Sequence, residues 1–586
     1  MTVARVIPLR RLPSDVPWFD YLVPDGQTVQ RGQFVDVSFR RRPLRGVVWS
    51  MADQSVFPHL ETIQHIHEHW LTDWQLAAIE ALIAEGGSPA SIVASTVPPT
   101  GRRPRRTIPS RSTKSGRPAS HSVPTERTWW YRERAQIVRT ILDWASALST
   151  SGIILTPTLE DADTLVEYLN RAGVPARAVH GQTTSPTYRE TYALIQTTPL
   201  VVVGTWKALL LPFHEPPAIL IDQEEHPAHK QSLQYPRYDT RRIVSHLNIQ
   251  PIATTPAPSI SWFYAHHPTP PIDERPRELG ALGVPGSSHW LSSRVQDLVT
   301  TAHQKNQQLV AIVPRRGFAR LIACRDCGWV LACEQCYKLL TLRRDATHHV
   351  TCSWCSHHQS IPSQCPSCQG TRWSYHGLGP EHFVDILSTF NPNITAVPAI
   401  NPAVDATVYV DTYQAVRSVA DLPRLAGILV ISGDSLLNIP DPVAAERAWQ
   451  YLNRLQATAP AIPLVVQTFQ PDSDFWQRWV SHGDAAWYEH EIQDRRRLQL
   501  PPFVETWLVR YAGPNFEQTI VSKLHELTTH HGASCTVKRL PDAVSPQRTV
   551  GRLLITSTQP LRDQFDVPNE FPPPWQVDMS PSSWLE

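Results

Sequence analysis

Eight of the nine cysteines of this chain fall within 45 residues, as four CxxC pairs: Cys324/Cys327, Cys333/Cys336, Cys352/Cys355 and Cys365/Cys368. A CxxC turn presents two thiolates to one ion, and structural zinc takes four ligands in a tetrahedron, so four pairs supply two closed, all-cysteine zinc sites. A disulfide framework is disfavoured, because the start MTVARVIPLRRLPSDVPWFDYL carries charges and prolines where a signal peptide has an apolar stretch. A thioredoxin-like motif is one CxxC beside a βαβ unit rather than four in tandem. Catalytic zinc keeps an open position, which eight thiolates would close. The spacing alone leaves three ways to divide the pairs between two ions. Trp329, His349, Trp354, His357 and His358 stand between the ligands as core or contact surface, and Cys535 stands apart as an expected buried apolar residue.

A small zinc module cannot organise 586 residues, a length that calls for several cores. Residues 1–98 hold strand-like runs (VARVIPL, QFVDVSF, LRGVVWS) and a helical stretch near 73–84. Residues 99–127 form a basic linker, in which seven cations precede Glu126, the first acid. From 128 onward continuous apolar runs alternate with helical segments: GIILTP, LVVVGT, AILID, LVAIVP, TVYVDT, GILVIS and PLVVQT. That pattern predicts α/β architecture with parallel sheets covered on both faces, divided into two tandem lobes at 128–290 and 291–500. The cysteine module, 324–368, interrupts the second lobe, and a mixed C-terminal unit, with RLLITS as its clearest strand, occupies 501–586. The net charge is only +1, so a polyanion partner has to be argued from local patches, FRRRPLRG, GRRPRRTIPSRSTKSGR, RRGFAR and the arginines 495–497. No apolar run is long enough to span a bilayer, and the expectation is a soluble cytoplasmic protein without membrane contact.

Two α/β lobes in tandem invite a search for a nucleotide motor. A phosphate-binding loop needs glycines so that backbone N–H groups can wrap phosphate, and a Lys-Ser/Thr pair for the terminal phosphates and magnesium. Between Gly116 and Gly152 there is no glycine, and the segment before the first lobe strand reads TERTWWYRERAQIVRTI.

The motifs, taken in order, resemble those of the PriA family of primosomal replication-restart helicases, over nearly the whole chain. FDYLVPDG at 19–26 resembles the family's N-terminal signature and GTWKALLLPF at 204–213 its GTRSALFAPL segment. KQ and PRY between 230 and 238, RRGFARLIACRDCGW at 315–329, the four CxxC pairs, LNIPDPVAAER at 437–447 and YEHEIQDRRRLQLPPF at 488–503 follow. The resemblance implies two helicase-like lobes behind a β-rich DNA 3′-end-binding domain. It also implies the nested zinc division, with Cys324, Cys327, Cys365 and Cys368 on one ion and Cys333, Cys336, Cys352 and Cys355 on the other. Implied partners are forked or branched DNA, primosome proteins and the replicative helicase loading machinery, with single-stranded DNA-binding protein as a further candidate.

The departures from the family carry mechanism. The Asp-Glu pair that holds magnesium and positions water reads Asp222-Gln223, and a shift of one would recover Glu224 and Glu225 only by losing the Asp. The two arginine-finger positions fall on Thr458 and Ala461, and the GTQMxxKGHDFP segment reads DTYQAVRSVADLP. Preorganised charge is the main device of phosphoryl transfer, so the expectation is a scaffold without ATPase activity and without a nucleotide site. In the N-terminal signature the resemblance assigns strand-end recognition to Phe19, Asp20 and Tyr21, a carboxylate for the terminal hydroxyl beside an aromatic face for the last base. Asp20 as a turn cap is the competing reading, and Arg40 and Glu61 depart from the family around that pocket. No winged-helix unit fits between 98 and 128. The basic segment there, including Arg102, Arg103, Arg105 and Arg106, is expected to tether DNA through phosphates, with a plain linker as the alternative. The whole reads as a replication restart protein that binds abandoned forks. An active 3′ to 5′ helicase with a non-standard nucleotide site is the alternative, followed by a zinc-containing DNA-binding regulator.

Overall fold

The computed structural model describes residues 2–9, 18–39, 41–55, 57–97, 126–231, 237–282, 290–314 and 321–583, less 325, 328, 330, 332, 335–339, 343–348, 353–356, 377–378, 414–418, 420–421, 440, 533, 546–547, 566, 572–573 and 582. The N-terminal unit is an antiparallel sheet of β1 (Val3–Pro8), β2 (Phe19–Leu22), β3 (Gln33–Phe39), β4 (Arg42–Ala52) and β5 (His65–Trp70), in the order β2-β1-β4-β3-β5. Alternation along β3 buries Val35 and Val37 and leaves Asp36 and Ser38 partly exposed. Two helices follow, Asp73–Ala84 and Pro89–Thr96, the first opened by a capping box between Thr72 and Gln75.

Those helices do not pack on their own sheet alone. Trp74, Ala78, Ile79, Leu82 and Ile92 share one core with Ile153, Leu155, Val202, Leu209, Phe213 and Ile221 of the first lobe. Trp74 Nε1 donates to the Leu209 carbonyl at 2.8 Å and Gln75 Nε2 to that of Leu210 at 2.9 Å. The segment Trp206–Leu210 is thus held against the N-terminal helices. It leaves the sheet at Gly204, where a Cβ would lie 1.9 Å from the Val179 carbonyl oxygen.

The first lobe is a six-stranded parallel sheet: β6 (Thr128–Trp130), β7 (Gly152–Leu155), β8 (Ala176–Val179), β9 (Val201–Gly204), β10 (Ala218–Ile221) and β11 (Ile252–Thr255), ordered β6-β11-β10-β7-β9-β8. The second lobe repeats the plan. Strand β12 (Arg277–Ala281) precedes β13 (Gln308–Val313), and the cysteine module follows with β14 (Leu321–Cys324), β15 (Leu340–Leu342), β16 (His349–Cys352), β17 (His358–Ser360) and β18 (Trp373–His376). The sheet resumes with β19 (Ala396–Pro398), β20 (Val408–Thr412), β21 (Leu425–Val430) and β22 (Leu464–Thr468), in the order β12-β22-β21-β13-β20-β19. Strand β12 corrects the expected boundary at 290. It pairs with β22 from Arg277 to Ala281, so the second sheet takes up chain the sequence reading left to the first lobe. RELGA, polar and short, lacks the apolar run that marked the other strands.

The C-terminal unit is an antiparallel sheet of β23 (Glu505–Tyr511), β24 (Thr536–Ser545), β25 (Arg548–Ser557) and β26 (Gln576–Asp578), ordered β24-β25-β23-β26, with the helix Phe516–His531 against it. It is fastened to the first lobe by Lys230 and Asp578, 2.6 Å apart with both side chains fully buried. Glu85, just past the first helix, joins three units. It meets Arg242 at 3.2 Å and His246 at 3.1 Å from the first lobe, and Arg562 at 2.8 Å from the C-terminal unit.

Burial opposes ionisation of Glu85, but His246, Arg242 and Arg562 outweigh it and hold the carboxyl below its usual range. Its stabilising contribution is therefore present above its ordinary value of 4.5 and is lost as pH falls through the lower folded value. Glu85→Ala should destabilise the chain by about 1–3 kcal/mol at neutral pH, because it removes a buried carboxylate that accepts charge-assisted bonds from two partly exposed arginines and a histidine. The gap to the wild type should narrow below pH 4.5. Thermal midpoints across pH, with limited proteolysis between the units, check both effects.

Candidate functional site

Two places on this framework bear chemistry: the cysteine module and the strand ends that face the interlobe seam. In the module, β14 pairs antiparallel with β18, Cys324 opposite Trp373. Two similar turns follow the same logic. The Cys324 N–H donates to the Trp329 carbonyl and the Cys365 N–H to that of Gly370, each at 2.8 Å, which folds each CxxC back so that its thiols converge. The Sγ atoms of Cys324, Cys327, Cys365 and Cys368 all lie within 4.8 Å of one another, with Cys324–Cys368 at 3.5 Å and Cys327–Cys365 at 3.7 Å. Zinc–thiolate bonds of about 2.3 Å in a tetrahedron put sulfurs about 3.8 Å apart, so this quartet fits one structural zinc. Trp329 packs edge-on against Trp373 at 6.1 Å beside it, with the Trp373 indole N–H on the Pro362 carbonyl. The structure thus brings together the outer two of the four pairs. Of the inner pairs Cys333 is buried, whereas Cys336, Cys355 and the side chain of Cys352 lie outside the described residues.

At the end of β10 the sequence Asp222-Gln223-Glu224-Glu225 turns into the seam, and each side chain is buried. Asp222 receives both terminal nitrogens of Arg134 at 2.6 Å and the Thr254 hydroxyl at 2.7 Å. Arg134 opens the helix Arg134–Ala147, three residues after β6 ends at Trp130. The link between them is Tyr131, Arg132 and Glu133, and the fork of Arg134 engages both oxygens of the Asp222 carboxylate. Burial works against ionised Asp222, and Arg134 outweighs it, holding the carboxyl below its usual range. Gln223 adopts a left-handed backbone, φ 52°, its N–H donating to Thr254 Oγ1 at 3.1 Å. That turn carries Glu224 away from Asp222 to Ser259, whose N–H and hydroxyl it accepts at 2.9 and 2.7 Å.

Glu225 accepts the Thr255 hydroxyl at 2.9 Å and meets Arg454 of the second lobe at 3.3 Å. Burial nevertheless dominates and pushes its carboxyl up to about 7. Arg454 stands one turn before Thr458, where the first finger was expected; Thr458 closes its helix with a bond to the Leu455 carbonyl. Motif matching singled out neither Arg134 nor Arg454, the two arginines that the structure places on Asp222 and Glu225. The only signal for them was the run of unpaired arginines in YRERAQ and YLNRLQ. Further ties cross the seam. Glu446 accepts the Ile260 N–H at 2.9 Å, the Tyr488 hydroxyl donates to the Pro258 carbonyl at 2.6 Å, and Arg132 bonds Asp484. Tyr488 stacks on Phe263 at 4.3 Å and meets Trp130 edge-on at 5.5 Å.

The strand-end signature does not form a single pocket. Along β2, Phe19 and Tyr21 fall on one face and Asp20 on the other. Tyr21 is 5 % exposed, part of a core with Val6, Val35 and Val48, and bonds the Ser38 carbonyl at 3.0 Å; burial and Glu61 push its hydroxyl up to about 12. It is an interior residue rather than a stacking platform. Phe19, half-buried, packs edge-on against Phe39. Asp20 accepts the Ser55 hydroxyl at 2.6 Å and lies 3.9 Å from Arg5, which sits over Trp18. Arg40, Arg102, Arg103, Arg105 and Arg106 lie outside the described residues.

A family model described as the 3′ DNA-binding domain of PriA matches residues 12–98. The chain is 23 % identical to the replication restart protein PriA of Bacillus subtilis over 68 % of this chain and 54 % of that protein. It is 25 % identical to PriA of Synechocystis over 54 % of this chain and 43 % of the relative. The probable PriA of Deinococcus radiodurans is 29 % identical over 46 % and 30 %. The chain spans about half the length of the curated relatives it matches. Among solved structures, the Mycobacterium smegmatis helicase Lhr bound to ssDNA and AMP-PNP aligns at 11 % identity and TM-score 0.30, over 59 % of this chain and 44 % of that one.

Cys365→Ser should release one metal equivalent per chain, measured by elemental analysis of purified protein, whereas Cys535→Ser, outside the module, should release none. Glu225 has a folded value near 7 against an ordinary 4.5, so the native state holds the extra proton in that window and stability falls as pH rises through it. Glu225→Gln should remove that fall: its stability relative to the wild type should rise between pH 4.5 and 7 and level off above, in denaturant titrations at stepped pH.

Proposed function

We propose that this chain, a relative of the replication restart proteins PriA, binds branched DNA at abandoned replication forks and serves there as an assembly platform, without ATP-driven helicase activity of its own. The observation that carries the second half is the two-pronged pairing of Arg134 with Asp222. Where a motor would hold magnesium and phosphate, this chain carries its own cation, Arg134, at the start of a helix that follows β6 after a link of three residues. The finger positions, Thr458 and Ala461, offer no charge for a developing phosphoryl group.

DNA engagement is supported by the match of residues 12–98 to a 3′ DNA-binding domain. Asp20 is the group that would accept a terminal hydroxyl, in exchange for its bond from Ser55, with half-buried Phe19 and Trp18 as the neighbouring aromatic surface. The segment 99–127, with Arg102, Arg103, Arg105 and Arg106, would neutralise phosphates without sequence preference. Two zinc ions would staple the module, one on Cys324, Cys327, Cys365 and Cys368, the other on Cys333, Cys336, Cys352 and Cys355. Their contribution is rigidity, since closed thiolate shells leave no position for substrate. Such a braced module offers primosome and helicase-loading proteins a fixed surface. Among the described residues no helix is long and apolar enough to cross a membrane.

The test is ATP hydrolysis by zinc-loaded protein with and without saturating forked DNA, with fork and linear-duplex binding measured in the same samples. Fork-preferring binding with no stimulated turnover is the expected result. Turnover that rises with the fork and survives purification overturns the platform reading in favour of a working helicase, and equal affinity for linear duplex of one sequence would favour a regulator.

A further inference from the structure

The outer edge of the N-terminal sheet carries a feature that neither the metal module nor the seam absorbs. Strand β5 reads HIHEHW, with His65, His67 and His69 at alternate positions. Ile66 stands opposite Val35 and His65 opposite Asp36, the pairing with β3 shifts register between Ile66 and Trp70, and it is the ring contact of His65 and His67 that places these two side chains on a common face. The His65 and His67 rings stand 4.6 Å apart, centre to centre, at 86°. Imidazole nitrogens bind transition metals at about 2.0–2.1 Å, which places two rings on adjacent positions of one ion about 4.6–5.3 Å apart. The two rings already stand at chelating distance.

A third group supports them. Asp36 of β3 is the register partner of His65, and its Oδ2 lies 2.9 Å from His67 Nε2. A carboxylate this close to one ring nitrogen restricts the ring's orientation and leaves the other nitrogen open to a metal, as carboxylates behind metal-bound imidazoles do. Here that leaves Nδ1 of His67 as ligand. Arg45, 3.3 Å from Asp36, keeps the carboxylate anchored on its far side, so Asp36 orients the ring rather than joining the ion. His65 is exposed and His67 half-buried, so an ion can reach the pair from solvent. His69, two positions further along and within the register shift, serves as the control for a general effect of histidines on this edge.

We propose that His65 and His67, oriented by Asp36, form a two-histidine chelate for a divalent transition metal of the imidazole-preferring series, nickel, copper or zinc, separate from the cysteine module. Two imidazoles occupy two positions and solvent the others, so this site is open where the thiolate quartet is closed. The assignment stands apart from the fork reading, since it uses none of the groups argued to hold DNA.

The experiment titrates Ni²⁺ into the full-length, zinc-loaded chain by calorimetry at neutral pH, with a chromophoric chelator reporting any zinc lost from the cysteines. The wild type should take up one nickel with no zinc release. The double variant H65Q/H67Q should lose that uptake, and Asp36→Asn should weaken it about tenfold through loss of the orienting carboxylate. His69→Gln should bind as the wild type does. Circular dichroism and retained zinc content show that each variant folds, as expected for exposed or half-exposed side chains. Undiminished nickel binding by H65Q/H67Q overturns the site, and so does a loss in His69→Gln equal to that in the double variant.

Discussion

Neutralisation of buried carboxylate at the ends of the first-lobe strands is the constraint on which the arrangement of the two lobes depends. Asp222, Glu224, Glu225 and, from the opposite lobe, Glu446 are all under 9 % exposed. Isolated carboxylates in such a place would cost several kcal/mol each, so each must be paired, protonated or removed. This chain pairs Asp222 with Arg134, Glu224 with Ser259 and Arg241, and Glu446 with Arg495 at 2.8 Å. At Glu224 and Glu225 the partners do not offset burial, which raises both carboxyls, that of Glu225 to about 7. Two of these solutions cross between lobes: Arg454 reaches Glu225, and Glu446 caps the N–H of Ile260.

The same economy recurs where the other units meet. Glu85 gathers two arginines and a histidine from two units, and Lys230 with Asp578 forms a fully buried pair between the first lobe and the C-terminal sheet. Buried pairs of this kind add little net stability over apolar packing, but they are strongly destabilised by any displacement that separates one partner from the other. They therefore specify registration. Around them the apolar contacts are continuous: the helix Asp73–Ala84 shares its core with the first lobe rather than closing one for its own domain. Units that the sequence separated by composition are joined in the structure by packing.

What could be read from the sequence follows from how each element is buried. Central strands β7, β9, β10, β13, β20, β21 and β22 are covered on both faces and appear as apolar runs, and each was placed within a residue or two. Strands β6, β8, β12 and β19 lie at sheet edges, where a half-covered strand can be as polar as ARAV or RELGA, and none was seen; β11, inside the first sheet but short and threonine-rich (IATT), was missed as well. The cysteines were legible because tetrahedral coordination dictates spacing. The division of the outer pairs required the resemblance, and the turns of Cys324 and Cys365 then supplied its geometry. Asp20 and Tyr21 illustrate the opposite case: adjacent in a motif, they are sent to opposite faces by the pleat, which a motif does not encode. Arg134 was invisible as a ligand of Asp222 because the two are 88 residues apart.

A motor of two α/β lobes works because nucleotide supplies the charge that draws the lobes together and its loss lets them part. In this chain that charge is covalently present. Arg134 sits on Asp222 within the first lobe and Arg454 on Glu225 across the seam, and the stacked Phe263 and Tyr488 would have to separate in water for the seam to open. Each opening would expose an aromatic stack and leave at least one buried charge unpaired, an energy no differential ligand contact is positioned to offset. The seam between the lobes is thus closed by ion pairs and an aromatic stack, with the cysteine module projecting from one lobe and the N-terminal sheet packed on the other.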